Sequence, residues 1–124
     1  MIVNVGLGML SGLINNDTAG SYTAVDYIAI GGDNTAAAAG QTGLLDQVQI
    51  AASTGTQSGT NDETLEMNHE FSFSGTDTIY EFGVFDGSTG SGTDDMLCRS
   101  VGGGISVVNG STIDVTIKIT FADA

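Results

Sequence analysis

Thr64–Gly75, TLEMNHEFSFSG, is the stretch that decides the fold. Leu65, Met67, His69, Phe71 and Phe73 fall on one side of an extended chain, and Glu66, Asn68, Glu70 and Ser72 on the other. Successive side chains of a strand point to opposite faces, so an unbroken apolar/polar alternation describes a strand with one face buried and one wet. That is the signature of an antiparallel sheet packed on one side. The end of the chain repeats the pattern after the turn signal Asn109-Gly110: Ile113, Val115, Ile117, Ile119 and Phe121 point inward, with Thr, Asp and Lys outward.

Between and before these runs the chain reads the same way. TIYEFGVFD (78–86) and DMLCRSV (95–101) are strands joined by the Gly/Ser/Thr/Asp loop 86–95. YTAVDYIAIG (22–31) is a β-branched and aromatic run stopped by GGDN, and QVQIAAS (47–53) is a further strand with Val48 and Ile50 inward. TAAAAGQTGLLDQV (35–48) reads as an irregular crossing segment, and TGTQSGTND (54–62) as a loop. Only LGMLSGLI (7–14) has helical spacing, through Leu7, Leu10, Leu13 and Ile14, with an end expected at Asn15-Asn16. The expectation is a mainly β chain: an antiparallel β-sandwich of about six or seven short strands with a short N-terminal helix. At 124 residues this is one domain, 1–124, in which 1–16 form the apolar N-terminal segment.

Charge excludes several functions. Fifteen acidic residues stand against two basic ones, Arg99 and Lys118, for a formal net charge of −13. Two cations cannot form the basic patch that nucleic acid or an anionic membrane surface requires. Self-repulsion at this density loosens a small fold at low ionic strength, whereas molar salt shrinks the screening length to about 3 Å. Near-loss of Lys and an excess of Asp over Glu fit a chain adapted to a hypersaline medium. The opening MIVNVGLGMLSGLINN lacks a positive n-region and is too short to span a bilayer, so it reads as part of the mature fold with no membrane insertion.

Catalytic chemistry finds no footing. Cys98 is alone and cannot form an intrachain disulfide, and as a small apolar residue it needs no chemical role. The one histidine, His69, lies on the apolar face of its strand without a Ser or Cys partner at a recognisable motif, which suits a core or interface position. One His and one Cys do not make a zinc site. GGDN and GSTGSGTDD cluster oxygen ligands without the spacing of a calcium loop, leaving weak cation binding at the acidic loops as the alternative to solvated acids. Gly102–Gly104 lacks the Lys-Ser/Thr of a phosphate loop, and Glu66 and Glu70 face outward. The expectation is no catalytic residues, no cofactor and no enzyme.

One charge is oddly placed. Arg99 sits in the apolar run MLCRSV, and Glu81 in the apolar run IYEFGVF. If those strands pair through loop 86–95, Glu81 and Arg99 meet as a cross-strand ion pair. The alternative is that Arg99 reaches an acid of a neighbouring subunit. Either way the residue anchors structure.

The order of segments resembles a known family. YIAIGGDNTAAAAGQTGLLDQV (27–48), then an alternating strand, IYEFGVFD (79–86), a short Gly-rich loop, MLCRSV (96–101) and NGSTIDVTIKITF (109–121) is similar to small phage tail and tail-fibre-associated proteins. The likeness covers about residues 22 to 121, with EFGVF where EIGLF is usual and LCRS in place of LAR. The resemblance implies a virion structural protein, and with the charge it implies a tailed virus of a halophilic archaeon. A compact acidic β-module suits a capsid decoration or turret as well as a tail component. Particle symmetry implies a symmetric homo-oligomer contacting other virion proteins of capsid or tail. Ile2, Leu7, Leu10, Leu13 and Ile14 are the candidate docking segment, with ordinary core packing as the alternative. A receptor- or glycan-binding module of the virion is the competing function; the three tyrosines, Tyr22, Tyr27 and Tyr80, all fall in expected strands rather than in loops where they could stack on sugars.

Overall fold

The computed structural model describes residues 1–14 and 23–122; of residues 11–14 it describes the backbone alone. The chain is mainly β. One helix, α1 (Asn4–Ile14), precedes seven strands: β1 (Tyr27–Gly31), β2 (Gln47–Ala52), β3 (Thr56–Ser58), β4 (Thr64–Ser72), β5 (Asp77–Phe85), β6 (Met96–Val107) and β7 (Thr112–Thr120). They form two antiparallel sheets, ordered β2-β1-β5-β6 and β3-β4-β7. No helix among the described residues is long and apolar enough to cross a membrane.

The inner faces of the two sheets share one core. Ile28, Ile30, Ile79 and Val84 of the larger sheet pack with Met67, Phe71 and Val115 of the smaller one. The alternation of β4 is realised: Met67 and Phe71 are buried and His69 is half-buried, edge-on to Phe71 at 4.7 Å between ring centres. Glu66, Asn68 and Glu70 look outward, and Glu66 pairs with exposed Lys118 at 3.4 Å, a contact of about 0–1 kcal/mol.

The larger sheet is covered on its other face as well. Val3, Ala29, Leu44, Phe85 and Met96 form a second apolar cluster beneath α1 and the irregular segment 32–46. The helix lies on β6 because Gly6 has no Cβ; a side-chain carbon there would run into the Leu97 backbone. Ahead of the helix, Met1–Val3 pair with the β6 edge. Met1 N–H donates to the Arg99 carbonyl and Arg99 N–H to the Met1 carbonyl, both at 3.1 Å, and Val3 N–H donates to the Leu97 carbonyl at 3.2 Å.

Several boundaries depart from the sequence expectation. The helix begins at Asn4, and its expected end at Asn15-Asn16 lies outside the described residues. β1 starts only at Tyr27, and a short strand, β3, stands where loop 54–62 was expected. The register of β1 on β2 shifts between Ile30 and Gly31, opposite Gln49 and Gln47, so Val48 is the extra residue of a bulge. Val48 therefore packs in the inter-sheet core, while Ile50 packs in the outer cluster and not beside it. β6 runs on through Gly102–Gly104 to Val107, beyond the Val101 end expected. The Asn109-Gly110 turn, with Gly110 at φ 88°, carries the chain from the larger sheet to the smaller one.

Candidate functional site: the buried Glu81–Arg99 clamp

Arg99 and Glu81 are the buried charges of the described core, both side chains being 0% exposed. They lie on the outer face of the larger sheet, the one that faces segment 32–46. Arg99 pairs in register with Gly83, and Glu81 with Gly31 on one side and Val101 on the other. The two charges are thus diagonal neighbours across β5 and β6, and Arg99 Nε donates to Glu81 Oε2 at 2.8 Å. Diagonal contacts lie within reach of long side chains.

The pair also organises the crossing segment. Glu81 Oε1 accepts the Asp46 N–H at 2.7 Å and Oε2 the Leu45 N–H at 3.0 Å. Arg99 Nη1 donates to the Thr35 carbonyl at 2.9 Å and to Gln41 Oε1 at 3.1 Å. Gln41 in turn receives the Ala38 N–H, and Asp33 Oδ1 lies 3.6 Å from Arg99 Nη2. One carboxylate and one guanidinium therefore satisfy both ends of a segment that has no ladder of its own. A buried backbone group left unpaired would cost about 1–3 kcal/mol, so these bonds fix where the segment lies. Nη2 itself makes no hydrogen bond.

Small residues make the room. Ala29, Gly31 and Gly83 occupy the sheet positions around the clamp. A Cβ on Gly31 would collide with the Asp46 carbonyl and the Glu81 carboxylate, neither of which can move without breaking a hydrogen bond. Gly31→Ala is expected to cost about 1–3 kcal/mol by overpacking, read as a lowered denaturant midpoint in urea.

The acidic loops spend their carboxylates on their own backbone. Asp33 Oδ1 accepts the Thr35 N–H at 2.7 Å. That bond, then the Thr35 hydroxyl, and lastly the charge of Arg99 hold Asp33 below the usual carboxylate value. In loop 86–95, Asp94 Oδ2 accepts the N–H groups of Thr89 and Gly90, each at 2.7 Å, and Asp86 Oδ1 accepts the Asp95 N–H at 2.9 Å. Among the described residues no group of three or more His, Cys, Asp or Glu side chains is placed to hold a metal ion.

Asp86 is held above the ordinary carboxylate value, first by partial burial and then by the charges of Asp95 and Asp94. A raised folded pKa means that the folded chain binds this proton more tightly than the unfolded one. Asp86 therefore weakens the fold at neutral pH, and that penalty is relieved as pH falls through the raised value toward 3.8. Asp86→Asn keeps the acceptor for Asp95 and is expected to raise stability at pH 7 by a few tenths of a kcal/mol (~0.3) after solvent screening. The gain should vanish in urea melts near pH 3, where Asp86 is protonated in both states.

Burial pushes the Cys98 thiol up, opposed weakly by the nearby N-terminal ammonium, so it is held as the unreactive thiol. The candidate docking residues are divided. Ile2 bridges to Cys98 and is half-buried, Leu10 is half-buried, Leu7 is 55% exposed, and the side chains of Leu13 and Ile14 lie outside the described residues. Arg99 is fully buried, and its guanidinium bonds within its own chain to Glu81, Thr35 and Gln41.

Sequence reasoning singled out Glu81 and Arg99 but missed Asp33, Thr35, Gln41 and the Leu45-Asp46 backbone. The signal available was the small-residue set Ala29, Gly31 and Gly83, which leaves space on a face that otherwise reads as core. No family model, curated protein or solved structure matches this chain.

Proposed function

We propose that this chain is a virion structural protein on the particle exterior, a capsid decoration, turret or tail component of a tailed virus living in high salt. One observation carries the reading: the N-terminal segment is anchored by one side and offers apolar surface on the other. Val3 and Met9 are fully buried, while Leu7 is 55% and Met1 60% exposed, in a chain of net charge −13. Exposed Leu7 and Met1, on a segment whose other side is buried, support a protein contact there. The buried charges support the same role, since Glu81 and Arg99 spend their hydrogen bonds on holding a segment in place. The resemblance of the segment order to small phage tail and tail-fibre-associated proteins adds the virion setting.

The test is the mass of the purified protein in molar salt by light scattering, followed by electron-microscopy class averages. A discrete, closed, symmetric assembly is expected. A monomer at ~1 mM protein would contradict self-assembly, and specific hits on a glycan array would move the assignment to a receptor-binding module. Against that module, Tyr27 and Tyr80 lie within β1 and β5 and not in loops.

A further inference from the structure

The smaller sheet has a long edge strand, β7. Asn68 gives its backbone N–H and C=O to the Ser53 hydroxyl, at 2.9 and 2.7 Å, and not to Thr116, its register partner on β7. In an antiparallel ladder a residue directs both backbone groups to one side, and its neighbours direct theirs to the other. Thr112, Asp114, Thr116, Lys118 and Thr120 therefore turn their N–H and C=O groups away from β4, toward the open side of the sheet.

The other edges are blunted. β2 is stitched to the smaller sheet through Ser53 and through Gln49 Nε2, which donates to the Ser72 carbonyl at 2.9 Å. β3 is three residues long. β6 is covered by Met1–Val3 at one end and carries the irregular Gly102–Gly104 at the other, where its register on β5 shifts. β7 has nine residues without proline or register shift, and its two charges, Asp114 and Lys118, are of opposite sign.

The sequence of that edge is self-complementary. About a two-fold axis at Thr116, an antiparallel copy places Asp114 opposite Lys118 of the second chain, and Lys118 opposite its Asp114. Thr112 meets Thr120, Ile113 meets Ile119 and Val115 meets Ile117. Moving the axis to Val115 or Ile117 separates the charges; moving it to Asp114 or Lys118 stacks like on like. Within one chain Asp114 stands opposite Glu70, an unfavourable pairing, and accepts a neutral hydrogen bond from Asn68 Nδ2 at 2.6 Å, while exposed Lys118 pairs with Glu66. The second copy would give Asp114 a counter-charge. It also brings apolar residues to the mouth of a groove of about 630 Å³ between β6 and β7, lined by Phe82, Ile105, Ile113 and Ile117. Ile105 there is 43% exposed.

We infer that β7 pairs with β7 of a second copy about Thr116, making one continuous six-stranded sheet, β3-β4-β7-β7-β4-β3, across a two-fold dimer. This edge is independent of the virion role, since the pairing is a property of the isolated chain. Molar salt strengthens it, because the long-range repulsion of two strongly acidic chains is screened.

The test is residue-resolved amide hydrogen exchange by NMR in molar salt as protein concentration rises. Protection of the Asp114, Thr116 and Lys118 amides is expected to grow with concentration, while the Val115 and Ile117 amides, bonded within the chain, stay protected throughout. Lys118→Asp should weaken the dimer by about 10- to 100-fold, and Asp114→Lys combined with Lys118→Asp should restore it. Thr116→Pro removes an N–H that the single chain does not use and should abolish pairing. Protection at Asp114, Thr116 and Lys118 that does not change with concentration overturns the inference, as does a dimer indifferent to Lys118→Asp. If a variant unfolds, the concentration series on the unmodified chain decides alone.

Discussion

Arg99→Ala is expected to remove about 3–5 kcal/mol of folding stability, because it leaves the Glu81 carboxylate buried without its counter-charge. For a fold of this size that is a large part of a total of about 5–15 kcal/mol. The loss should be read in urea unfolding at molar salt, and segment 32–46 should become the first site of proteolytic cleavage. The pair itself is not the source of stability, since apolar replacements of buried ion pairs are often neutral. Here they should not be fully neutral. Glu81→Met with Arg99→Met removes both charges but also the acceptor of the Leu45 and Asp46 N–H groups and the donor to the Thr35 carbonyl. The double variant should therefore recover part of the loss and remain below the parent by about 1–3 kcal/mol. An Arg99→Ala protein as stable as the parent would remove the clamp from this account.

The second large effect is that of salt. Cooperative unfolding is expected in about 2–4 M salt, with loosening below roughly 0.5 M, as the screening length grows from about 3 Å at 1 M to 10 Å at 0.1 M. The Glu81–Arg99 pair is sealed from solvent and should contribute little to this response. The exposed acids carry it, so replacing acids such as Asp62 and Glu70 by Asn and Gln should flatten the dependence of the urea midpoint on salt. Equal stability at low and molar salt would contradict the hypersaline reading.

Strand periodicity was legible where a strand has one wet face and no bulge. β4 and β7 meet both conditions, and Met67, Phe71 and Val115 are core residues in the fold, whereas Phe121, expected inward, lies past the end of β7 and is 46% exposed. β5 breaks the rule. Its register on β6 shifts between Ile79 and Glu81, so Ile79 packs between the sheets while Phe85 packs in the outer cluster, although a strict period of two puts them on one face. The same effect separates Val48 from Ile50. Periodicity cannot show a bulge, because a bulge is defined by the partner strand. That the larger sheet is covered on both faces was hidden for a related reason: segment 32–46 has no period, and its place is set by Glu81 and Arg99.

The candidate site was half legible. Scarcity drew attention to Arg99, and its apolar neighbours indicated burial. Its partners Thr35 and Gln41 lie 64 and 58 residues away, and one of the two contacts is to a backbone carbonyl, which no side-chain pattern can announce. The pairing of Met1 with Arg99 spans 98 residues and rests on backbone bonds alone.

The most direct measurement is to locate the protein. Antibody raised against the folded chain, applied to virus particles purified in molar salt and viewed by electron microscopy, is expected to label the exterior at symmetry-related positions on the capsid or tail. Particles that carry no label, from cultures in which the protein is plainly present, would contradict a structural role on the virion.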